Sequence, residues 1–212
     1  MKQNILIAGV GGQGNLFASA LLAKSAIQRG FQVLATETIG AAQRGGSVVS
    51  HLRIADHLLY SPLISDGQAD YLVGFEPIEL VRHIRKLRSD GQYILNMHPV
   101  LTIGCTMGVD HYPTLSEIAD ALKSMNLRGH MIMATAAADE ISNPMLMNMV
   151  MIGALCSISS FFELEEIKAL VMEGSRKTLV EANLEALDAG AHLIHQAIEG
   201  LPIPTRCSDG GQ

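Results

Sequence analysis

Gly9, Gly11 and Gly14 follow the spacing G-x-G-x-x-G in the stretch GVGGQGN, and Gly12 adds a fourth position without a Cβ. Glycines in this pattern let backbone amides approach an anion closely, so a phosphate is the first ligand they suggest. The same glycines also suit a tight turn and close packing of a helix on a strand, and their types alone do not separate the two uses. A second segment, TIGAAQRGGS from Thr38 to Ser47, is made of small residues around one charge, Arg44, and reads as a functional loop. Glu37 stands 23 residues after Gly14, near the spacing at which a carboxylate accepts hydrogen bonds from a ribose. An NAD-dependent dehydrogenase is therefore one reading. Against it, Gln13 stands where that motif carries a small or apolar residue, no hydride-transfer constellation follows, and the second loop has no role in such a scheme.

The elements around these loops are legible from periodicity. Asn4 to Val10 is an almost continuous apolar run, as in a strand buried on both faces of a parallel sheet. Asn15 to Arg29 carries Leu16, Ala20, Ala23 and Ile27 at helical spacing, and Gly30 stops it; Phe31 to Thr36 then forms a second strand. The glycine loop thus falls between strand and helix, where unpaired N–H groups attract anions. Ser47 to Ile54 is β-rich and is expected to pair with His57 to Tyr60 as a hairpin insertion. A strand from Ala69 to Phe75, a helix from Pro77 to Leu87, a turn at Ser89-Asp90-Gly91 and a strand from Tyr93 to Asn96 follow. Beyond an irregular middle, a helix from Thr114 to Met125 and a strand from Gly129 to Thr135 are expected. Asn143 and Pro144 start a nearly all-apolar helix, Met145 to Ile158, buried either in the core or against another subunit. Val180, Leu184, Leu187, Ile194 and Ile198 mark a final helix. The fold expected is α/β: a single Rossmann-like domain over residues 1–200 with a mostly parallel sheet, a hairpin insertion and C-terminal helices, then a loose tail, 201–212.

Composition narrows the function classes. Fifteen Lys plus Arg against 21 Asp plus Glu give no basic stripe, which argues against nucleic acid. Arg82, Arg85, Lys86 and Arg88 suit the solvated side of one helix. No leader precedes the first strand, and the most apolar segment is shorter than the roughly 20 residues a membrane span needs, so a cytoplasmic protein is expected. Cys105, Cys156 and Cys207 are scattered, whereas a cubane cluster needs four thiolates. His192 and His195 share a helix face without a third ligand, so a surface or interface role fits better than zinc. With 48% hydrophobic and 17% charged residues, the chain is apolar enough to expect association, as a homodimer in isolation and as part of a larger complex.

GVGGQGN, ETIGAAQRGGSVVSHLRI, YSPLI, ADYLVGFEPIE and NPMLMNMVMIGAL together resemble the gamma subunit, or gamma domain, of 2-oxoacid:ferredoxin oxidoreductases, a likeness running from residue 4 to about residue 190. Its most specific parts are GGQG, Gly11 to Gly14, and AQRGGSV, Ala42 to Val48. The resemblance implies a subunit of an enzyme that oxidatively decarboxylates pyruvate, 2-oxoglutarate, branched-chain or aryl 2-oxoacids such as indolepyruvate, reduces ferredoxin and makes an acyl-CoA. Thiamine diphosphate, Mg and iron–sulfur clusters are then expected on alpha and beta partners, with a ferredoxin-like delta subunit in some assemblies. This chain is left with no catalytic residue and a mainly architectural role. Any share in the CoA site falls to Gly9, Gly11, Gly12, Gln13 and Gly14 together with Gln43, Arg44, Gly45, Gly46 and Ser47; Arg44 bridging subunits is the competing use. Asn15, where an aliphatic residue often follows GGQG, and Ala41-Ala42 depart from the family pattern.

Overall fold

A computed structural model describes residues 1–40, 45–101, 103–174 and 177–199. β1 (Lys2–Val10) leads through the glycine loop into α1 (Asn15–Gln28) and β2 (Gln32–Ile39), and β3 (Ser47–Ala55) follows. Next come β4 (Ala69–Gly74), α2 (Pro77–His83), a 3-10 turn (Ile84–Lys86) and β5 (Leu87–Asn96). A single turn, α3 (Ile103–Thr106), precedes α4 (Leu115–Ser124) and β6 (Arg128–Ile132). The remaining described elements are helical: α5 (Ala134–Ile141), a 3-10 turn (Pro144–Leu146), α6 (Met147–Ile158), α7 (Leu164–Gly174) and α8 (Lys177–Ile198).

The six strands form one sheet in the order β2-β3-β1-β4-β5-β6. β1, β4, β5 and β6 are parallel, while β3 runs against both β1 and β2. This is the expected mostly parallel α/β domain, but its hairpin differs. β3 has β2 on one side and β1 on the other, so neither edge is left for His57 to Tyr60; Leu58 and Tyr60 are exposed instead. The hairpin is β2–β3. Ser89-Asp90-Gly91 is likewise no turn: it lies inside β5, where pairing passes from Ala69↔Leu87 to Tyr71↔Gln92 and bulges the strand. A Cβ on Gly91 would stand 2.9 Å from the Ala69 carbonyl oxygen and 3.0 Å from that of Asp70, so only glycine fits.

Helices cover both faces. On one, α1, α5, α6, α7 and α8 enclose a core that includes Ile5, Ile7, Leu52 and Val73; on the other, α2 and α4 cover Leu6, Leu72 and Leu95. α6 is buried almost all round by the chain's own elements, and Met147, Met149 and Met151 are core residues, whereas Met145 is exposed. It crosses α8 closely: a Cβ on Gly153 would strike the Leu187 carbonyl, and one on Gly190 would strike that of Val150. α1 reverses the sequence expectation. Its buried residues are Asn15, Ala18, Ser19, Leu21, Leu22, Ser25 and Ala26, while Leu16 and Ile27 are 62% and 59% exposed. Small residues around the two leucines let the helix lie close on the sheet, and Leu16 and Ile27 point outward.

Candidate functional site

The glycine loop sits at the C-terminal end of β1, between β3 and β4, in the crevice where open α/β sheets bind ligands. Gln13 organises it. Its Oε1 accepts the Val10 N–H at 2.8 Å and its Nε2 donates to the Phe75 carbonyl at 3.2 Å, so one side chain ties the ends of β1 and β4 together. Asn96 Nδ2 also donates to the Phe75 carbonyl, at 3.0 Å, and to Thr135 Oγ1 at 2.9 Å, carrying the tie across β5 to α5. A Cβ on Gly9 would lie 2.6 Å from Gln13 Oε1, and one on Gly14 would strike Asn148 of α6. These two glycines therefore serve packing. Gly12 has open space beside its Cα and a left-handed φ of 98°, so the turn requires it without any crowding. Asn15 is buried, and its Nδ2 donates to the Val48 carbonyl at 3.1 Å, pinning the start of α1 to β3. An aliphatic side chain could not make that bond.

Gln43 and Arg44 lie outside the described residues; Gly45, Gly46 and Ser47 are placed. The Gly11 N–H donates to the Gly46 carbonyl at 2.9 Å, so the two loops meet. Ser47 Oγ donates to Glu79 Oε2 at 2.5 Å. Together with Val10, Glu76, Arg82 and Tyr112, Gly45 and Glu79 line a cleft of about 450 Å³. Glu76 is its deepest charged group, 1% exposed. It caps α2 by accepting the Glu79 N–H at 2.9 Å, accepts the Val100 N–H at 3.3 Å, and takes the Tyr112 hydroxyl. Burial, with the Glu76 carboxylate beside it, pushes the Tyr112 phenol above its ordinary range. Glu79 Oε1 faces Arg82 Nε at 3.4 Å. The cleft therefore offers two buried carboxylates beside the glycine loop: groups that hold and orient, with no activated nucleophile among them. Sequence reasoning missed Glu76, Glu79 and Tyr112; the available signal was Glu76-Pro77 after a buried strand, which marks a capped helix start.

Other sequence readings resolve differently. Because β3 runs between β1 and β2, Glu37 lies in a strand that is not β1's neighbour, and the Ser19 hydroxyl donates to it at 3.4 Å. The ribose geometry of a dehydrogenase, which needs the acidic residue on the strand beside β1, is absent. The basic cluster spans α2, the 3-10 turn and β5, with Arg85 and Lys86 on Asp66 and Arg88 on Asp70 and Asp90. His192 and His195 are exposed on α8, and no three His, Cys, Asp or Glu among the described residues are grouped to hold a metal. Burial pushes the Cys156 thiol up to about 12, so it is no ready thiolate, and Cys105 and Cys156, the cysteines among the described residues, are fewer than the four thiolates a cubane cluster needs. No described helix is long and apolar enough to cross a membrane.

Residues 4–193 match the family described as pyruvate ferredoxin/flavodoxin oxidoreductase. The chain is 36% identical over 203 residues to the indolepyruvate oxidoreductase subunit IorB of Archaeoglobus fulgidus, covering 95% of this chain and 98% of that one. It is 27% identical over 196 residues to the 2-oxoglutarate synthase subunit KorC of Methanothermobacter thermautotrophicus, covering 92% and 96%. The keto/oxoacid ferredoxin oxidoreductase gamma subunit of Geobacter sulfurreducens shares its fold with a TM-score of 0.68 at 20% identity, over 92% of this chain and 99% of that one. A 2-oxoglutarate:ferredoxin oxidoreductase from Magnetococcus marinus, with 2-oxoglutarate, coenzyme A and succinyl-CoA bound, shares it with a TM-score of 0.72 at 21% identity, over 95% of this chain and 32% of that one. The chain belongs to the pyruvate ferredoxin/flavodoxin oxidoreductase family.

Proposed function

We propose, from that membership, that the chain is the gamma-type subunit of a 2-oxoacid:ferredoxin oxidoreductase whose substrate is an aryl 2-oxoacid of the indolepyruvate class. The observation that carries this reading is the near full-length identity to IorB, well above that to KorC. Thiamine diphosphate, Mg and iron–sulfur clusters belong to the partner subunits, where they supply decarboxylation and electron transfer. What this chain supplies is shape. Gln13 and Asn96 lock the strand ends into a fixed rim, and the Gly9–Asn15 loop, with Gly45, Gly46 and Ser47 beside it, is the part of this chain offered to the catalytic partner and a CoA phosphate. Part of the nest is spent internally, since the Gly11 N–H bonds Gly46 and the Gln13 N–H bonds Val10, which puts more of the anion's binding on Arg44.

The test is reconstitution with the catalytic partners. The isolated chain should be inactive, and the complex should reduce ferredoxin fastest with indolepyruvate. Arg44→Ala should raise the KM for CoA with assembly unchanged. Activity of the complex with pyruvate or 2-oxoglutarate in preference to indolepyruvate overturns the substrate class; weakened assembly with an unchanged KM for CoA makes Arg44 an interface residue.

A further inference from the structure

On the α2 face of the sheet, the end of the β2–β3 hairpin borders a second cavity, of about 240 Å³. It is separate from the cleft beside the glycine loop: Ser47 lines the one and Glu79 the other, and the hydrogen bond between their side chains joins the two walls. Val49, Leu63 and Ile64 make much of its lining apolar, and His51, His83 and Lys86 bring nitrogen groups to it.

The backbone fixes the tautomer of His51. Its Nδ1 accepts the Ile64 N–H at 3.1 Å, so the neutral ring carries its proton on Nε2. His51 is only 6% exposed, and among the described residues Nε2 has no acceptor. A buried donor left unmatched costs about 1–3 kcal/mol, so one set in a cavity wall calls for an oxygen from outside the chain.

Charge points the same way. Arg85 and Lys86 share the one carboxylate of Asp66, which leaves a positive charge in excess at the rim, and the Lys86 side chain keeps 28% of its surface open. Glu79, the acid that His83 feels, is already committed to Arg82 and to the Ser47 hydroxyl. Burial holds His83 below its ordinary value, so at pH 7 it is a neutral ring that adds no charge of its own. A phosphate would meet a single cation and a largely apolar wall. One carboxylate on an apolar body matches both halves of the lining.

We propose that this cavity binds a small monocarboxylate with an apolar or aromatic body, its carboxylate accepting from His51 Nε2–H and from Lys86 and its body lying against Val49, Leu63 and Ile64. The inference rests on this chain's own residues and stands whichever 2-oxoacid the assembled enzyme uses.

Phenylacetate is the probe, titrated into the full chain at pH 7 and followed by calorimetry and by the imidazole NMR signals of the unmodified protein. One saturable site is expected, with the His51 signals shifting as it fills. Lys86→Met should raise the dissociation constant at least about tenfold, as loss of one charge-assisted hydrogen bond does. Phenylacetamide, the same body without the charge, should bind at least about tenfold more weakly than phenylacetate. The absence of saturable binding up to about 20 mM overturns the proposal, since weaker binding is not a site. So does binding that leaves the His51 signals unmoved, that is indifferent to Lys86→Met, or that the amide matches. Inorganic phosphate competing as well as phenylacetate would show that the apolar wall is not read, and overturns the ligand class.

Discussion

α6 and α1 are both apolar helices on the same face of the sheet, yet one is buried in its own chain and the other leaves its stripe outside. α6 has no polar flank, and the sheet, α5 and α8 enclose it. α1 buries mostly small residues, Ala18, Ser19, Ser25 and Ala26, around Leu21 and Leu22, and leaves Leu16, Phe17 and Ile27 exposed. Where a helix must lie close to strands, compact residues face inward, and larger apolar ones remain available for a neighbour. Hydrophobicity says that a residue will be covered; the closeness of the approach determines by what.

The contrast breaks most clearly at Met151, which is fully buried in α6. Met151→Asp should cost about 4 kcal/mol or more, because a charge there has neither water nor a partner, and circular dichroism should show a largely unfolded chain. A somewhat smaller loss, on the order of 3 kcal/mol, is expected for Gly190→Ala, since the new methyl group must push α8 away from the Val150 carbonyl; the urea midpoint measures it.

The opposite layer offers a control that titrates. His51 Nδ1 accepts the Ile64 N–H at 3.1 Å, and burial, then Lys86 and His83, hold the imidazole down to about 4 from its ordinary 6.5. The unfolded chain takes up a proton that the folded one refuses between those values. Stability is therefore full above pH 6.5 and falls by on the order of 2 kcal/mol as pH drops to 4. His51→Gln should flatten the pH dependence of the melting temperature in that window.

The smallest effect sharpens the comparison. Ile27→Lys, on the outer stripe of α1, should change the stability of the chain by less than about 0.5 kcal/mol, measured by denaturant titration. A loss as large as that of Gly190→Ala would mean the stripe is packed within the chain after all.

Much of the fold is written locally. Asn143 caps the turn before α6, Thr114 and Glu117 form a reciprocal capping box at α4, and the glycine loop falls between β1 and α1. Each of those signals acts over three or four residues. What escaped is tertiary. That β3 would insert between β1 and β2 depends on which edges are free, and this moved Glu37 out of reach of a nucleotide site. The Ser89-Asp90-Gly91 run, where β5 bulges, looked like a turn because its residues favour one. In the site, the glycines were legible as a group but not by role: Gly9 and Gly14 answer to side chains of Gln13 and Asn148, the latter far along the chain. Glu76 was invisible as a hub because two of its partners, Val100 and Tyr112, come from a segment without periodicity.

The close crossing at Gly153 and Gly190 also bears on how the protein is made. α8 follows α6 in the chain by a further helix, α7, so during synthesis the most apolar helix emerges before the one that closes over it. Until Leu187 and Gly190 have left the ribosome, the flank of α6 around Val150 and Ala154 has no lid. The newborn chain thus passes through a stage in which its most apolar segment lies uncovered, a vulnerability that the finished molecule no longer displays.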